Sequence, residues 1–261
     1  MPHFETATSR DGTQIAYERT GSGPVLVFVT GAVCHRRFAP IRQDVKAFAE
    51  RFRVTTYDRR GRGDSGDTDA WSLEKEIEDL EAVIDAVGGR ALLYGHSSGA
   101  VLAMHAARRL PGKVERALLY DASWVADHEE AATYAQLRAE VEGLLDGGRG
   151  AVAIKRFLIG VGMPKAFARL LPVMPGWRRL VALAPTLRYD MALTASPPPL
   201  DAAAQITVPV HVMAGERSPA SLHRVADALA EAIPAATHEV LRGQDHMVSA
   251  KVLLPSLVRH L

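Results

Sequence analysis

One local pattern recurs along this chain: a short unbroken apolar run, followed by a segment of helical period. Such runs stand at residues 25–29, 54–57, 91–94, 117–120 and 208–213, with a weaker one at 238–241. A strand that alternates apolar and polar residues wets one face. A strand that is apolar throughout is buried on both, as in a parallel sheet covered by helices. Helical spacing fills the intervals at 38–52, 73–87, 98–110, 222–233 and 248–261. Ahead of them, alternation at 4–7 and 14–17 around Asp11-Gly12 reads as an antiparallel hairpin. The pattern predicts an α/β protein with a mostly parallel central sheet, helices on both faces and an antiparallel start.

One stretch departs from the rhythm. From Trp124 to Ala204 no strand-like run occurs, only helical pattern cut by Pro164, Pro172, Pro175, Pro185 and the three prolines 197–199. That is too long for an ordinary connection. The expected organisation is a core of residues 1–123 and 205–261, with 124–204 as a helical cap inserted after the sixth strand. A length of 261 residues suits one large domain with such an insertion.

Composition removes several function classes. A 48% hydrophobic content excludes disorder, and a net charge of +1 with no isolated basic block argues against a nucleic-acid partner. Cys34 is the only cysteine, so no intramolecular disulfide or multi-cysteine metal site is expected. The chain has no Asn, which excludes a Cys-His-Asn catalytic set. A polar start without a signal pattern, and no long uncharged apolar run, predict a cytoplasmic protein without a membrane partner.

Chemistry enters at Gly95-His96-Ser97-Ser98-Gly99, which follows a buried strand and opens a helix. This is the G-x-S-x-G elbow in its required strand–turn–helix context. A nucleophile on so sharp a turn is crowded by strand and helix, so only small residues fit two positions to either side. Ser97 is the expected nucleophile, with the positive end of the helix dipole beside its hydroxyl. His96 lies inside the elbow and is expected to point away from it.

With these residues the chain resembles the α/β-hydrolase superfamily over nearly its whole length. The segment from Tyr57 to Gly66, YDRRGRGDSG, is similar to the D-x-R-G-x-G-x-S segment after the fourth strand of many members. Thr30-Gly31-Ala32 stands where they carry His-Gly before an oxyanion-hole residue, and Gly243-Gln244-Asp245-His246 resembles their histidine loop. The resemblance implies His246 as the base that activates Ser97, and the backbone amides of Ala32 and Ser98 as the oxyanion hole. Asp58 and Asp64 belong to a turn held by local hydrogen bonds and are excluded from catalysis.

The acid departs from the common pattern. Many relatives place it three residues after the glycine ending the seventh strand, and here that position is Ser218. Asp121, at the end of the sixth strand, is the first candidate, and Glu216 is its rival. The expected reaction is hydrolysis of a small to medium, mainly apolar ester, thioester or lactone through an acyl-enzyme, without metal or other cofactor. Cys34 and Trp124 are candidate pocket residues. Carbon–carbon bond hydrolysis, lyase or perhydrolase chemistry on the same triad, and a binding protein without turnover, remain open.

Overall fold

A computed structural model describes residues 4–68 and 70–260. Its described strands form one eight-stranded sheet: β1 (Glu5–Thr8), β2 (Gln14–Thr20), β3 (Val25–Val29), β4 (Arg53–Tyr57), β5 (Ala91–His96), β6 (Val114–Tyr120), β7 (Val210–Gly215) and β8 (Ala236–Leu241). Their spatial order is β1-β2-β4-β3-β5-β6-β7-β8. Both pairings of β2 are antiparallel, and every later pairing is parallel. The seventh strand starts after Pro209 and not at Val208, because proline has no N–H to give the ladder; its carbonyl still accepts from Ala117.

Both faces of the sheet are dry, as the unbroken apolar runs require. In β3, Val27 and Val29 face one cluster while Leu26 and Phe28 face the other; in β5, Leu93 and Leu92 divide in the same way. Helices α1 (Ala39–Phe48), α2 (Leu73–Ala86) and α3 (Ser98–Arg109) follow β3, β4 and β5. The first face packs on Ile77, Leu80 and Val83 of α2 and on much of α3. The second packs on Ile41, Val45 and Phe48 of α1.

Between β6 and β7 lie α4 (His128–Asp146), α5 (Gly150–Gly160), α6 (Lys165–Leu170), α7 (Trp177–Ala182), α8 (Leu187–Thr194) and α9 (Leu200–Ala203). Asp127 starts this insert by accepting the Glu130 amide at 2.8 Å, an N-cap that satisfies a donor the helix cannot. The insert has its own apolar cluster, in which Leu137 and Val141 of α4, Phe157 of α5 and Met191 of α8 close onto Val33 in the loop after β3. Helices α10 (Ala220–Ala232) and α11 (Ala250–Arg259) complete the chain on opposite faces of the sheet. Leu261, which ends the last predicted helix, lies outside the described residues. Among the described residues no helix is long and apolar enough to cross a membrane.

Candidate active site

The turn from β5 into α3 is as tight as its glycines imply. A Cβ on Gly95 would sit 2.6 Å from the Ala100 Cα, and one on Gly99 would run into the Val29 carbonyl. Ser97 between them has φ 59° and ψ −127°, a backbone state that side-chain-bearing residues rarely adopt. Its amide is tied to the Tyr120 carbonyl at 3.0 Å, so the end of β6 holds the elbow from below.

The loop after β3 passes directly over this serine. A Cβ added to Gly31 would lie 2.9 Å from the Ser97 Cβ. Among the described residues the amides of Ala32 and Ser98 donate to no protein acceptor. Ser98 opens α3, where the first amides have no intrahelical partner and the helix dipole adds positive charge. Two such donors beside a serine can stabilise an oxyanion.

Asp121 follows β6 in a left-handed conformation of its own, φ 46°, with its carboxylate fully buried. His246 Nδ1 lies 3.0 Å from Asp121 Oδ2. The Ser218 hydroxyl donates to that same oxygen at 2.6 Å, and the Gly215 amide reaches Oδ1 at 3.3 Å. Glu216 is turned away, accepting the Gly243 amide at 2.8 Å in the histidine loop. The loop is held from beneath by the elbow residue His96, whose Nε2–H donates to the His246 carbonyl at 2.8 Å. Burial, with the nearby His246 charge, pushes the His96 imidazole down to about 4 and keeps it neutral for this role. The Tyr120 hydroxyl donates in the same way to the Asp245 carbonyl.

Ser97 and His246 share no hydrogen bond here. Ser123 donates to the Asp121 carbonyl at 3.0 Å, and its hydroxyl oxygen, 3.1 Å from Ser97 Oγ, is left to accept the Ser97 proton. Sequence reasoning named Ser97, His246 and Asp121; the structure joins His246 to Asp121 and sets Ser97 against Ser123. Sequence reasoning missed Ser123 and Ser218 as their partners, because serines carry no local signal of such a role.

A family model described as the alpha/beta hydrolase family matches residues 26–251. The chain belongs to the alpha/beta hydrolase family. A solved alpha/beta hydrolase from Sphaerobacter thermophilus is 38% identical, with a TM-score of 0.86, over 98% of this chain and 99% of its own. An esterase from a Rhodococcus species shares the fold at a TM-score of 0.73 and 20% identity, over 98% of both chains. The pimeloyl-[acyl-carrier protein] methyl ester esterase of Methylococcus capsulatus is 39% identical over 101 residues, 37% of this chain. That match spans only 36% of the curated relative's length.

Around its elbow this alpha/beta hydrolase buries a cluster of charge. Asp190 of α8 accepts from Arg59 at 2.9 Å, from Arg62 at 2.7 and 2.8 Å, and from the Ser98 hydroxyl at 2.8 Å. Arg59 also grips Glu76 of α2 through two hydrogen bonds, at 2.5 and 2.7 Å. Arg62 Nη1 reaches the Gly31 carbonyl at 2.7 Å. The insert is thus tied to both loops that flank Ser97. Burial alone would push the Asp190 carboxyl up; the Arg62 and Arg59 guanidiniums outweigh it and hold the group below its usual range. The YDRRGRGDSG segment therefore does more than turn locally. Asp58 also reaches across the chain, accepting the Arg36 amide at 2.7 Å, and Asp64 pairs with the Arg36 guanidinium at 2.6 Å.

One pocket expectation is revised. Trp124 is only 3% exposed and packs in the core with its ring edge-on to His105 of α3, so it is a core residue and not a pocket wall. Cys34 is half-buried and leans on the cluster beneath the second face, where desolvation pushes its thiol up to about 11. Far from Ser97, His211, Glu239 and His260 bring potential metal-ligand atoms within 4.8 Å of one another. The two imidazoles stack with ring centroids 3.7 Å apart, and Arg259 and the Ser256 hydroxyl both donate to Glu239.

Proposed function

We propose that this hydrolase cleaves small to medium, mainly apolar carboxylic esters, or the related thioesters and lactones, through an acyl-enzyme. The observation that carries the reading is Ser97 in its strained elbow, between two amides that have no protein acceptor among the described residues. In this reading Ser97 Oγ turns from Ser123 toward His246 and attacks the substrate carbonyl carbon. His246 Nε2 takes the hydroxyl proton, while Asp121 holds the Nδ1–H and balances the imidazolium. The carbonyl oxygen becomes an oxyanion between the amides of Ala32 and Ser98. Collapse expels the alcohol with the proton from His246, and water releases the acid by the same steps.

The preference for apolar acyl groups rests on the surface above the site. There the helices 128–203 act as a cap whose cluster of Leu137, Phe157 and Met191 meets Val33. Apolar side chains on that side of the elbow favour neutral acyl groups over charged ones.

The test is labelling by a fluorophosphonate together with turnover of p-nitrophenyl butyrate. Both are expected for the protein as it stands and absent in Ser97→Ala; a label that persists in that variant refutes the serine mechanism. A binding protein without turnover is the second reading, favoured by the pairing of Ser97 with Ser123 in place of His246. It predicts neither label nor turnover.

A further inference from the structure

The twenty residues 160–179, from the end of α5 through α6 into α7, form a lobe with little beneath it: only Ala168 and Leu171 are buried. Five large apolar side chains stand in water there: Val161, Phe167, Leu170, Val173 and Met174, with Val173 81% exposed. They make up half of the ten exposed large apolar residues among the described positions, which is a concentration and not a scatter.

Every charge on the lobe is positive. Lys165, Arg169, Arg178 and Arg179 are all exposed. The sequence holds eight cations and no carboxylate between positions 147 and 189, in a chain whose net charge is +1. Nearby Arg156 and Arg188 find Glu140 and Asp146 on α4, but among the described residues the four lobe cations have no carboxylate partner. Met174, Trp177, Arg178 and Arg179 line one shallow groove, so cations and apolar groups share a surface.

A second copy of the chain is a poor occupant, since a twofold contact would set these cations against their own images. A protein partner is served best by a packed apolar centre inside a polar rim. Here exposed apolar side chains are interspersed with exposed cations along one segment. That arrangement suits a lipid surface, where cations lie at the phosphates, apolar tips enter the acyl boundary and an indole sits among the headgroups. We propose that the 160–179 lobe docks this hydrolase reversibly on anionic phospholipid bilayers. The inference stands apart from the reaction proposed above. The sequence expectation of no membrane partner rested on a polar start and the absence of a long uncharged apolar run, and neither reports an interfacial lobe.

Co-sedimentation of the full chain with phosphatidylglycerol vesicles and with phosphatidylcholine vesicles tests it. Binding is expected on the anionic vesicles, weak on the neutral ones and reduced by salt. Each cation removed should weaken partition about fivefold, so Arg169→Ala with Arg178→Ala should weaken it roughly 25-fold. Val173→Asp should lower it by roughly tenfold or more. All three positions are exposed, so the variants should melt with the parent protein. The proposal is overturned if the parent stays in the supernatant with phosphatidylglycerol vesicles, if it binds both vesicles equally, or if folded variants bind as it does. Retention by polyglutamate without vesicle binding would also overturn it, in favour of an acidic protein.

Discussion

Replacing Asp190 by Asn removes one charge and almost no volume from the cluster that joins α8 to the elbow. In the native arrangement two guanidiniums, Arg59 and Arg62, face two carboxylates, Glu76 and Asp190, and all four side chains are at most 2% exposed. The cluster is neutral as a whole. Asn keeps an oxygen for Arg62 or Ser98 but leaves one guanidinium charge without a counter-ion in the interior. Breaking a buried pair in this way costs about 3–5 kcal/mol. Each kcal/mol moves the melting temperature of a chain this size by about 2–4 °C, so a fall of roughly 6–20 °C is expected in thermal circular dichroism. Activity should fall as well, because Arg62 holds the Gly31 carbonyl and Ser98 adjoins Ser97, the proposed nucleophile. A kcat loss of about tenfold with KM little changed is the expected signature of misplaced oxyanion donors. The double variant Arg62→Met with Asp190→Leu removes both charges and should recover much of the stability, since the desolvation penalty disappears along with the attraction. A melting temperature within about 2 °C of the parent for Asp190→Asn, with unchanged kcat, would refute the argument.

Asp121→Asn should lower kcat by about two orders of magnitude or more with the fold retained, whereas Glu216→Gln should cost less than about tenfold; steady-state ester hydrolysis ranks them, and the reverse order would move the acid. Ser98→Ala keeps its backbone amide but loses the hydroxyl that Asp190 accepts, so urea unfolding should show a loss of about 1–2 kcal/mol while kcat stays within about tenfold. Burial, with Arg108 and Arg109 nearby, pushes His105 down from its ordinary 6.5 to about 4. Above pH 6.5 the imidazole is neutral folded or unfolded; below it the unfolded chain binds the extra proton, so His105 costs about 1.4 kcal/mol per pH unit as pH falls toward 4. His105→Gln should therefore melt less steeply with acid over that window than the parent, and parallel curves would contradict the assignment.

What was legible in the sequence is what is local. Period-two alternation across two dry faces marks β3 and β5 because Leu26 and Val27 must both find apolar neighbours, and a continuous apolar run is the trace of that demand. The elbow was legible for a similar reason: Gly95 and Gly99 are dictated by close approaches to Ala100 and Val29. Trp124 was misread because an indole beside a helical insert looks the same whether it turns toward a cavity or toward His105. His96 was expected to point away from the nucleophile, yet the reason for a histidine there, a neutral donor under the His246 carbonyl, depends on a residue 150 positions away.

Electrostatic satisfaction is the part that stays hidden, and the proposed acid, Asp121, shows why. Position 218 holds a serine, and from sequence that reads as a missing charge. In space nothing is missing. Strands β6 and β7 are neighbours, so a carboxylate leaving the end of one can occupy the region reached from the end of the other. Asp121 does this through a backbone turn of φ 46°, and Ser218 donates into the carboxylate it would otherwise have replaced. The same logic holds for Arg59 and Arg62, whose partner Asp190 lies 131 and 128 residues further on. Burying an arginine is prohibitive unless a carboxylate meets it, and a sequence shows the arginine without showing the meeting. Hydrophobic patterning therefore foretells where the sheet and its helices lie. Which charges cross between them is decided only once the chain has folded, and in this hydrolase those crossings hold the loops around Ser97.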